Sequence, residues 1–216
     1  MALLIIAANT SNAQQNKPLP QKTMTAPSAT SNNGLMLTPQ EKEYATKLLK
    51  DTEAGAFNAV KNLSEAQLTF KPTPDKWSVE DCIKHIAAAE KTLWSMVYET
   101  LQKPANPEKR ADIKFTDQEL VNAVEDRSHK STTFAALEPA NQPYKTLAEA
   151  LTSFKNNREK LIAFMNNAPA NLRNHVAVLP IGTYDAYQFI LLIAAHSNRH
   201  TQQIQEVKAN VNYPKL

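Results

Sequence analysis

The sequence predicts an all-α protein in which long amphipathic helices form a bundle with a short additional helix. Only three glycines occur in 216 residues, too few for a fold rich in tight β-turns. Four segments begin with a helix-capping sequence and continue with apolar residues at helical spacing. A further stretch, Phe189 to Val207, contains neither Gly nor Pro and carries an apolar stripe that would face a core.

Five helices follow from these start and stop signals. Thr38, Ser78, Thr116 and Thr146 are the predicted N-caps, and prolines end the second and fourth helices. A short extended piece is expected at 175–179, after which Gly182 turns the chain into the last helix. The first, third and fifth expected helices cover about 38–62, 116–131 and 184–209. The second runs from 78 to a stop at Pro104, and the fourth runs from 146 and ends before Pro169.

The N-terminal segment differs in composition from the rest of the chain. Residues 1–13 resemble a truncated secretory signal peptide without a basic start, with cleavage after Ala13. This predicts export to the periplasm; the alternative is a disordered tail on a cytoplasmic protein. The apolar run is too short to span a bilayer. Residues 14–37 are rich in Gln, Asn, Ser, Thr and Pro and predict a flexible linker, so the folded domain is expected over 38–211.

Charge and cysteine content exclude several classes of partner and site. The formal net charge is +3, and the 24 basic and 21 acidic residues form no basic cluster, so no nucleic-acid surface is expected. The single cysteine, Cys82, excludes an intramolecular disulfide and any multi-cysteine metal site. We expect Cys82 to be a small buried apolar residue. Neither a Gly-x-Ser-x-Gly motif nor a Gly-rich phosphate loop is present.

Three histidines are candidate metal ligands. His196 and His200 are four residues apart on the apolar face of the last helix, where buried imidazoles need partners. His85 lies at the edge of the apolar stripe of the second helix, whereas His129 and His175 are expected at the surface. Three neutral imidazoles would leave an open coordination position, as in catalytic zinc sites. The alternative is that backbone carbonyls or carboxylates satisfy these histidines within the core.

Several neighbours of these histidines have two interpretations. Asp81, one turn before His85, is either an acceptor for a ligand's second N–H group or a helix-capping residue. Arg199 and Gln203 flank the pair on the last helix; they would orient an anionic or polar substrate, or are simply solvated. We expect Trp77 to act as a hydrophobic staple rather than a binding platform. Glu90 does not share the face of His85 and is left out of the site.

Two motifs together resemble a known family. The stretch from Pro74 to Glu90, with Trp77-Ser78, His85 and Glu90, resembles the Trp-Ser…His…Glu signature that opens the second helix of the DinB-like superfamily. The stretch from Ala195 to Ile204 resembles its C-terminal His-x-x-x-His motif, and the helix order agrees from about 38 to 211.

The resemblance implies an up-down-down-up four-helix bundle that binds a divalent metal through His85, His196 and His200. It also implies a homodimer. Characterised relatives include thiol-dependent S-transferases and a mycothiol-dependent isomerase, although an exported protein would not meet cytosolic thiols.

The functional hypothesis is a metal-dependent hydrolase or transferase that acts on a small molecule. A divalent ion of zinc, nickel, manganese or iron would hold water or a substrate thiol in its open position and lower the pKa of that ligand. The alternative is a non-enzymatic bundle that binds a metal or a partner. A degenerate family member is the third possibility, and the three intact histidines argue against it.

Overall fold

A computed structural model describes residues 36–129, 133–169, 171–179 and 182–215. The predicted signal peptide at 1–13 lies outside these residues, as does the predicted linker at 14–37 except for its last two positions. None of the helices within the described ranges is long and apolar enough to cross a membrane.

The described residues form six α-helices and one β-hairpin. The helices are α1 (Pro39–Val60), α2 (Glu65–Thr69), α3 (Val79–Leu101), α4 (Asp117–Glu125), α5 (Leu147–Asn166) and α6 (Ala186–Lys208). Strands β1 (Val176–Leu179) and β2 (Gly182–Asp185) pair antiparallel, with Val176 opposite Asp185. Short 3-10 helices cover Pro107–Asp112, Ala135–Leu137, Pro139–Asn141 and Leu172–Asn174. The predicted all-α class is therefore confirmed, with a small hairpin added.

Capping boxes explain where most helices begin. In a capping box the N-cap side chain accepts a hydrogen bond from the backbone N–H of the third helical residue. The side chain of that third residue in turn accepts a hydrogen bond from the backbone N–H of the N-cap residue. The four predicted N-caps, Thr38, Ser78, Thr116 and Thr146, all have this arrangement. A fifth box at Ser64 begins α2, within a stretch that the sequence predicted to be a plain connection.

Helices α1, α3, α5 and α6 form the four-helix bundle. Around the bundle the order is α1, α6, α3, α5, and each helix packs against its two neighbours. Helices α1 and α6 run in the same direction, because the Tyr187 hydroxyl donates to the Glu41 carbonyl near their starts and Lys208 Nζ donates to the Ala59 carbonyl near their ends.

The remaining pairs complete an up-down-down-up topology. Helix α5 runs antiparallel to α1 and parallel to α3. The contacts that give these directions are Lys42 with Ala168, Phe57 with Phe154, Lys84 with Lys145, and Trp94 with Phe164. The parallel neighbours α3 and α5 need a long connection, which contains α4, and the hairpin lies between α5 and α6.

Helix α6 lies at the centre of the packing. It contacts α1, α3 and also α4, which covers its remaining side. Its first ten residues, 186–195, are all buried. This burial on every side explains why the sequence 189–195 is apolar without interruption instead of following a single stripe.

The helix predicted over 116–131 is shorter than expected, because α4 ends at Glu125. Asp126 accepts hydrogen bonds from the N–H and hydroxyl groups of Ser128, a local turn that competes with helical bonding. Arg199 of α6 donates to the carbonyls of Val124 and Asp126. These carbonyls therefore have partners without further helical turns.

The last helix also begins later than predicted. Gly182, with φ of 139°, begins β2 instead of turning directly into a helix. Helix α6 begins at Ala186, and Asp185 is its N-cap, accepting from the Gln188 N–H group. The extended piece predicted at 175–179 is strand β1.

Candidate metal centre

Residues of α3 and α6 bring three imidazoles together. The Nε2 atom of His196 lies 3.3 Å from Nε2 of His85 and 3.2 Å from Nε2 of His200. One ligand atom from each ring falls within 4.8 Å of the others. His85 is placed by α3, whose start is fixed by the Ser78 cap, and the His196–His200 pair by one turn of α6.

The hydrogen bonds made by Nδ1 determine the tautomers of two of the histidines, His85 and His200. Nδ1 of His85 lies 2.9 Å from the Leu137 carbonyl oxygen, which can only accept, so this nitrogen carries the proton. Nδ1 of His200 lies 2.9 Å from Gln203 Oε1, which also accepts from Arg127 Nη1 at 3.5 Å. Both neutral rings therefore direct an Nε2 lone pair toward His196.

The arrangement of the nitrogens fits a bound cation. Nε2 of His196 can donate to at most one neighbour, so at least one of the two close N···N contacts has no hydrogen bond. Tetrahedral ligands at zinc–nitrogen distances of about 2.0–2.1 Å are separated by about 3.3 Å. The two contacts of 3.3 and 3.2 Å match this spacing. The donor set is therefore suited to a divalent ion with at least one position left open.

Burial keeps these rings neutral. Desolvation lowers the pKa of His85 to about 4, against the opposing effect of the hydrogen bond to Leu137. Desolvation, together with the neighbouring imidazoles, holds the pKa values of His196 and His200 well below their usual range. Neutral imidazole is the form that binds a metal.

Trp77 forms one wall of the centre. Its ring is stacked on His200, with centroids 5.6 Å apart and an interplanar angle of 16°, and lies 4.8 Å from His85. Trp77 was expected only to staple its own helix, but its indole also contacts the His200 ring of α6. Of the three histidines only His196 is partly exposed, and His85 and His200 are buried.

A family model for the DinB superfamily matches residues 48–204, a range that contains all three histidines. The chain belongs to the DinB superfamily. The uncharacterized protein YuaE of Bacillus subtilis (strain 168) is 25% identical over 167 residues, covering 76% of this chain and 97% of YuaE.

A solved structure has the same fold. It is that of YfiT from Bacillus subtilis, described as a probable metal-dependent hydrolase with an unusual four-helix bundle topology. The TM-score is 0.58 at 13% identity, over 82% of this chain and 91% of YfiT. The up-down-down-up bundle predicted for this DinB-superfamily member agrees with that likeness.

Two residues next to the ligands have different roles from those expected. Arg199 is buried and donates to the carbonyls of Val124 and His129, so it is not solvated at the edge of the helix. Gln203 accepts the Nδ1–H bond of His200 and so orients that ring. Its position one turn after the second histidine was the signal that sequence reasoning could have used.

Asp81 and Glu90 lie outside the centre. Asp81 caps α3 through Ser78 and pairs with Lys71 at 2.8 Å, so it is the capping residue of the two alternatives. Glu90 is buried and pairs with Arg158 at 2.6 Å. Glu90 therefore takes part in a buried ion pair, which the sequence did not predict.

The Leu137 carbonyl is the functional group that the sequence could not reveal. It accepts from His85 Nδ1 and also from Gln142 Nε2 at 2.9 Å. The bond from His85 joins α3 to the segment of short 3-10 helices before α5, and the bond from Gln142 lies within that segment. A backbone carbonyl leaves no signature in the side-chain sequence, so only the tertiary structure identifies it.

The other two histidines are away from the centre. His129 is exposed, as expected, and its ring contacts Asp126 and Ser128. His175 is only partly exposed, contrary to the expected surface position, because it lies between the last 3-10 helix and β1. Cys82 is fully buried, as expected, and burial raises the pKa of its thiol.

Proposed function

We propose that this protein is a metal-dependent hydrolase that acts on a small molecule at the centre formed by His85, His196 and His200. The observation that carries the proposal is that Nε2 of His196 lies within 3.3 Å of Nε2 of both His85 and His200, whose lone pairs are directed toward it. The description of YfiT as a probable metal-dependent hydrolase on the same fold supports it.

The chain's own residues would prepare the centre for chemistry. His85 and His200 are held in one tautomer by the Leu137 carbonyl and Gln203, so neither ring must reorient to bind a cation. Both acceptors are uncharged, and the three imidazoles are neutral, so the ligands would not cancel the charge of the ion. A divalent ion at this place would supply a Lewis acid that makes a bound water or thiol more acidic.

Substrate would approach from the side of His196, the partly exposed ligand. The Trp77 indole packs against the rings of His85 and His200 and limits the access of water to them on that side. A partly dry wall of this kind strengthens electrostatic interactions in the site. Imidazole ligands suit zinc, nickel, manganese and iron, and metal analysis must distinguish them.

The first experiment measures metal content. Purified protein is dialysed against each of the four ions, and bound metal is quantified for the wild type, for His196→Ala and for His129→Ala as a matched exposed-histidine control. We expect about one equivalent of metal in the wild type and the control, and loss in His196→Ala. No metal in the wild type under any loading condition would overturn the proposal.

The second experiment separates catalysis from a structural role. Hydrolysis of a panel of small esters, amides and phosphoesters is measured with the loaded wild type, the metal-free protein and His196→Ala. We expect turnover only in the loaded wild type, with little change in melting temperature on removing the metal. Strong destabilisation without metal, and no turnover of any substrate, would instead favour a non-enzymatic metal-binding bundle.

A further inference from the structure

A second cluster of polar side chains is buried in the bundle beside the metal centre. Arg158 of α5 is 0% exposed and donates to both carboxylate oxygens of Glu90 on α3, at 2.9 and 2.6 Å. It also donates to Ser197 Oγ on α6 at 2.7 Å. On α1 it donates to the Leu49 carbonyl and to Thr52 Oγ1, each at 2.7 Å. We call these five residues the Arg158 cluster.

The Arg158 cluster joins all four bundle helices at one level. Each of its partners comes from a different helix than Arg158 itself, and both charged residues are at most 2% exposed. Ser197 also donates to the Ile193 carbonyl, which fixes its hydroxyl on α6. The guanidinium has a planar fork of donors, so its five bonds define directions as well as distances.

This level lies close to the metal centre along both helices that supply ligands. Glu90 follows His85 by five residues on α3, a rise of about 7.5 Å. Ser197 is the residue directly after His196 and lies three residues before His200, a rise of about 4.5 Å. The distance between cluster and ligands is therefore about one turn of helix.

Part of the apolar packing near the centre is made by small side chains, although Ile86, next to His85, is buried in one cluster with Ile204 of α6. Alanines occupy three buried positions of α3 next to the centre and two of α6. They are Ala87, Ala88, Ala89, Ala194 and Ala195. Such small side chains interdigitate less than branched ones and so resist axial sliding weakly.

We infer that the Arg158 cluster fixes the axial position of α3 relative to α6 and so positions His85 against His196 and His200. Arg158, Glu90 and Ser197 are then positioning residues of the metal centre, acting through helix placement and touching neither metal nor substrate. The inference rests on the proposed function, because it requires metal binding by the three histidines. Metal–nitrogen distances tolerate only about 0.2 Å, so a small axial shift of α3 would weaken one ligand.

A buried ion pair is suited to this role for a physical reason. Its net contribution to stability is small, because desolvation of two charges offsets their attraction. Replacing both partners by apolar residues of similar volume is often neutral or stabilising. What such a pair retains is directional preference, which apolar side chains lack. Stability and metal affinity should therefore respond differently to its replacement.

The test uses the double variant Glu90→Leu/Arg158→Met in the full chain, with Co²⁺ as the probe. Melting temperature is measured without metal, and cobalt affinity and the visible cobalt spectrum are measured by titration. We expect a melting temperature close to that of the wild type, a cobalt affinity lower by about tenfold or more, and an altered spectrum. An unchanged affinity and spectrum in the folded double variant would overturn the inference.

A second variant covers failure of the double variant to fold. Ser197→Ala removes the α6 attachment of Arg158 together with the bond from Ser197 to the Ile193 carbonyl of its own helix. Thr100→Ala is its control, because the Thr100 hydroxyl makes the same kind of bond, to Met96 of its own helix. We expect weaker cobalt binding in Ser197→Ala alone. Equal affinities in the two variants would refute the inference. If the wild type binds neither cobalt nor any of the four ions named above, the proposed function fails and the inference falls with it; if it binds one of those ions and not cobalt, the same titrations are made with that ion.

A destabilising control shows that lower stability alone does not reduce cobalt affinity. Arg173→Met removes a different buried arginine, one that contacts Glu41, Asp117 and Asp185 near the start of α6. It should lower the melting temperature and leave cobalt affinity unchanged while the protein is folded. If Arg173→Met also binds cobalt more weakly, the weaker binding of the double variant would be explained by lower stability of the whole bundle and not by loss of the Arg158 cluster.

Discussion

At the scale of single residues, the candidate metal centre depends on where each imidazole directs its second ring nitrogen. The bonds from His85 to the Leu137 carbonyl and from His200 to Gln203 hold both rings with Nε2 inward. Nδ1 of His196 has no partner among the described residues, and this ring is the partly exposed one. Two of the three candidate ligands are thus held by hydrogen bonds to the protein, and the third is the partly exposed ring.

Gln203→Ala should weaken metal binding. Loss of the Oε1 acceptor frees the His200 ring to rotate and to adopt the other tautomer, and acceptors of this kind contribute about 10–100-fold to metal affinity. Isothermal titration with zinc would measure the change. Gln205→Ala is the matched control, since Gln205 lies on the same helix and is exposed. Equal zinc affinities for the two variants would contradict the assigned role.

Acidification should destabilise the metal-free protein. In the folded state the pKa of His85 is about 4, against 6.5 for the ordinary group, because burial disfavours the charged ring. Between these values the unfolded chain binds more protons, so the free energy of unfolding falls as pH decreases through this window. Urea unfolding across the window would measure the slope.

His85→Ala serves as the comparison for this pH dependence. Removing one titrating group should make the fall in unfolding free energy with decreasing pH shallower than in the wild type. The lowered pKa values of His196 and His200 act in the same direction and remain in the variant. Identical slopes for the two proteins would show that His85 is not buried as a neutral ring.

At the scale of elements, two glycines occupy very different environments. Gly55 lies within α1, where an added Cβ atom would meet Thr201 Cγ2 at 3.8 Å, an ordinary contact. Gly182 begins β2 with φ of +139°, and an added Cβ would lie 2.7 Å from the Tyr184 hydroxyl. The first position tolerates a side chain, and the second requires glycine for its backbone and its space.

Alanine substitutions at these glycines should therefore change stability in opposite directions. Gly55→Ala should stabilise the protein by about 0.5–1 kcal/mol, because alanine loses less backbone entropy in a helix. Gly182→Ala should destabilise it by about 1–3 kcal/mol through strain at the positive φ. Thermal unfolding of both variants checks the signs. Stabilisation by Gly182→Ala would show that the hairpin does not require this conformation.

At the scale of the whole molecule, buried arginines connect helices that are distant in sequence. Arg158 joins the four bundle helices near the metal centre. Arg173, in the last 3-10 helix, pairs with Glu41 and Asp117 at 2.5 Å and with Asp185 at 3.2 Å. These carboxylates belong to the starts of α1, α4 and α6, where negative charge is favoured by the helix dipole.

Arg173→Met should destabilise the whole domain. Three carboxylates would remain buried with Arg110 as the only cation bonded to any of them among the described residues, and breaking a buried pair in this way costs about 3–5 kcal/mol. Urea unfolding followed by both circular dichroism and fluorescence would measure the loss and its cooperativity.

Lys42→Met is the comparison for Arg173→Met. Its ammonium bonds to the Ala168 carbonyl at the same end of the bundle, and its loss leaves no carboxylate unpaired. We expect a much smaller change in unfolding free energy. An equal effect of the two substitutions would mean that the ion pairs of Arg173 contribute no more to stability than the single bond from Lys42 to Ala168.

The amino-acid sequence by itself determined the helices and part of the centre. Capping boxes at Thr38, Ser78, Thr116 and Thr146 and apolar spacing predict where helices begin, because these signals act within a few residues. The four-residue separation of His196 and His200 fixes them on one helix face for the same reason. Export, the homodimer and the metal-ligand role of the histidines stay predictions.

Only the tertiary structure decided which distant groups meet. That α3 packs beside α6, so that His85 reaches the other two rings, depends on the packing of the entire bundle. The Leu137 carbonyl, the burial of Arg199 and the Glu90–Arg158 pair likewise join segments far apart in sequence. Local signals act over one or two turns of chain, whereas such contacts depend on how the helices share one core.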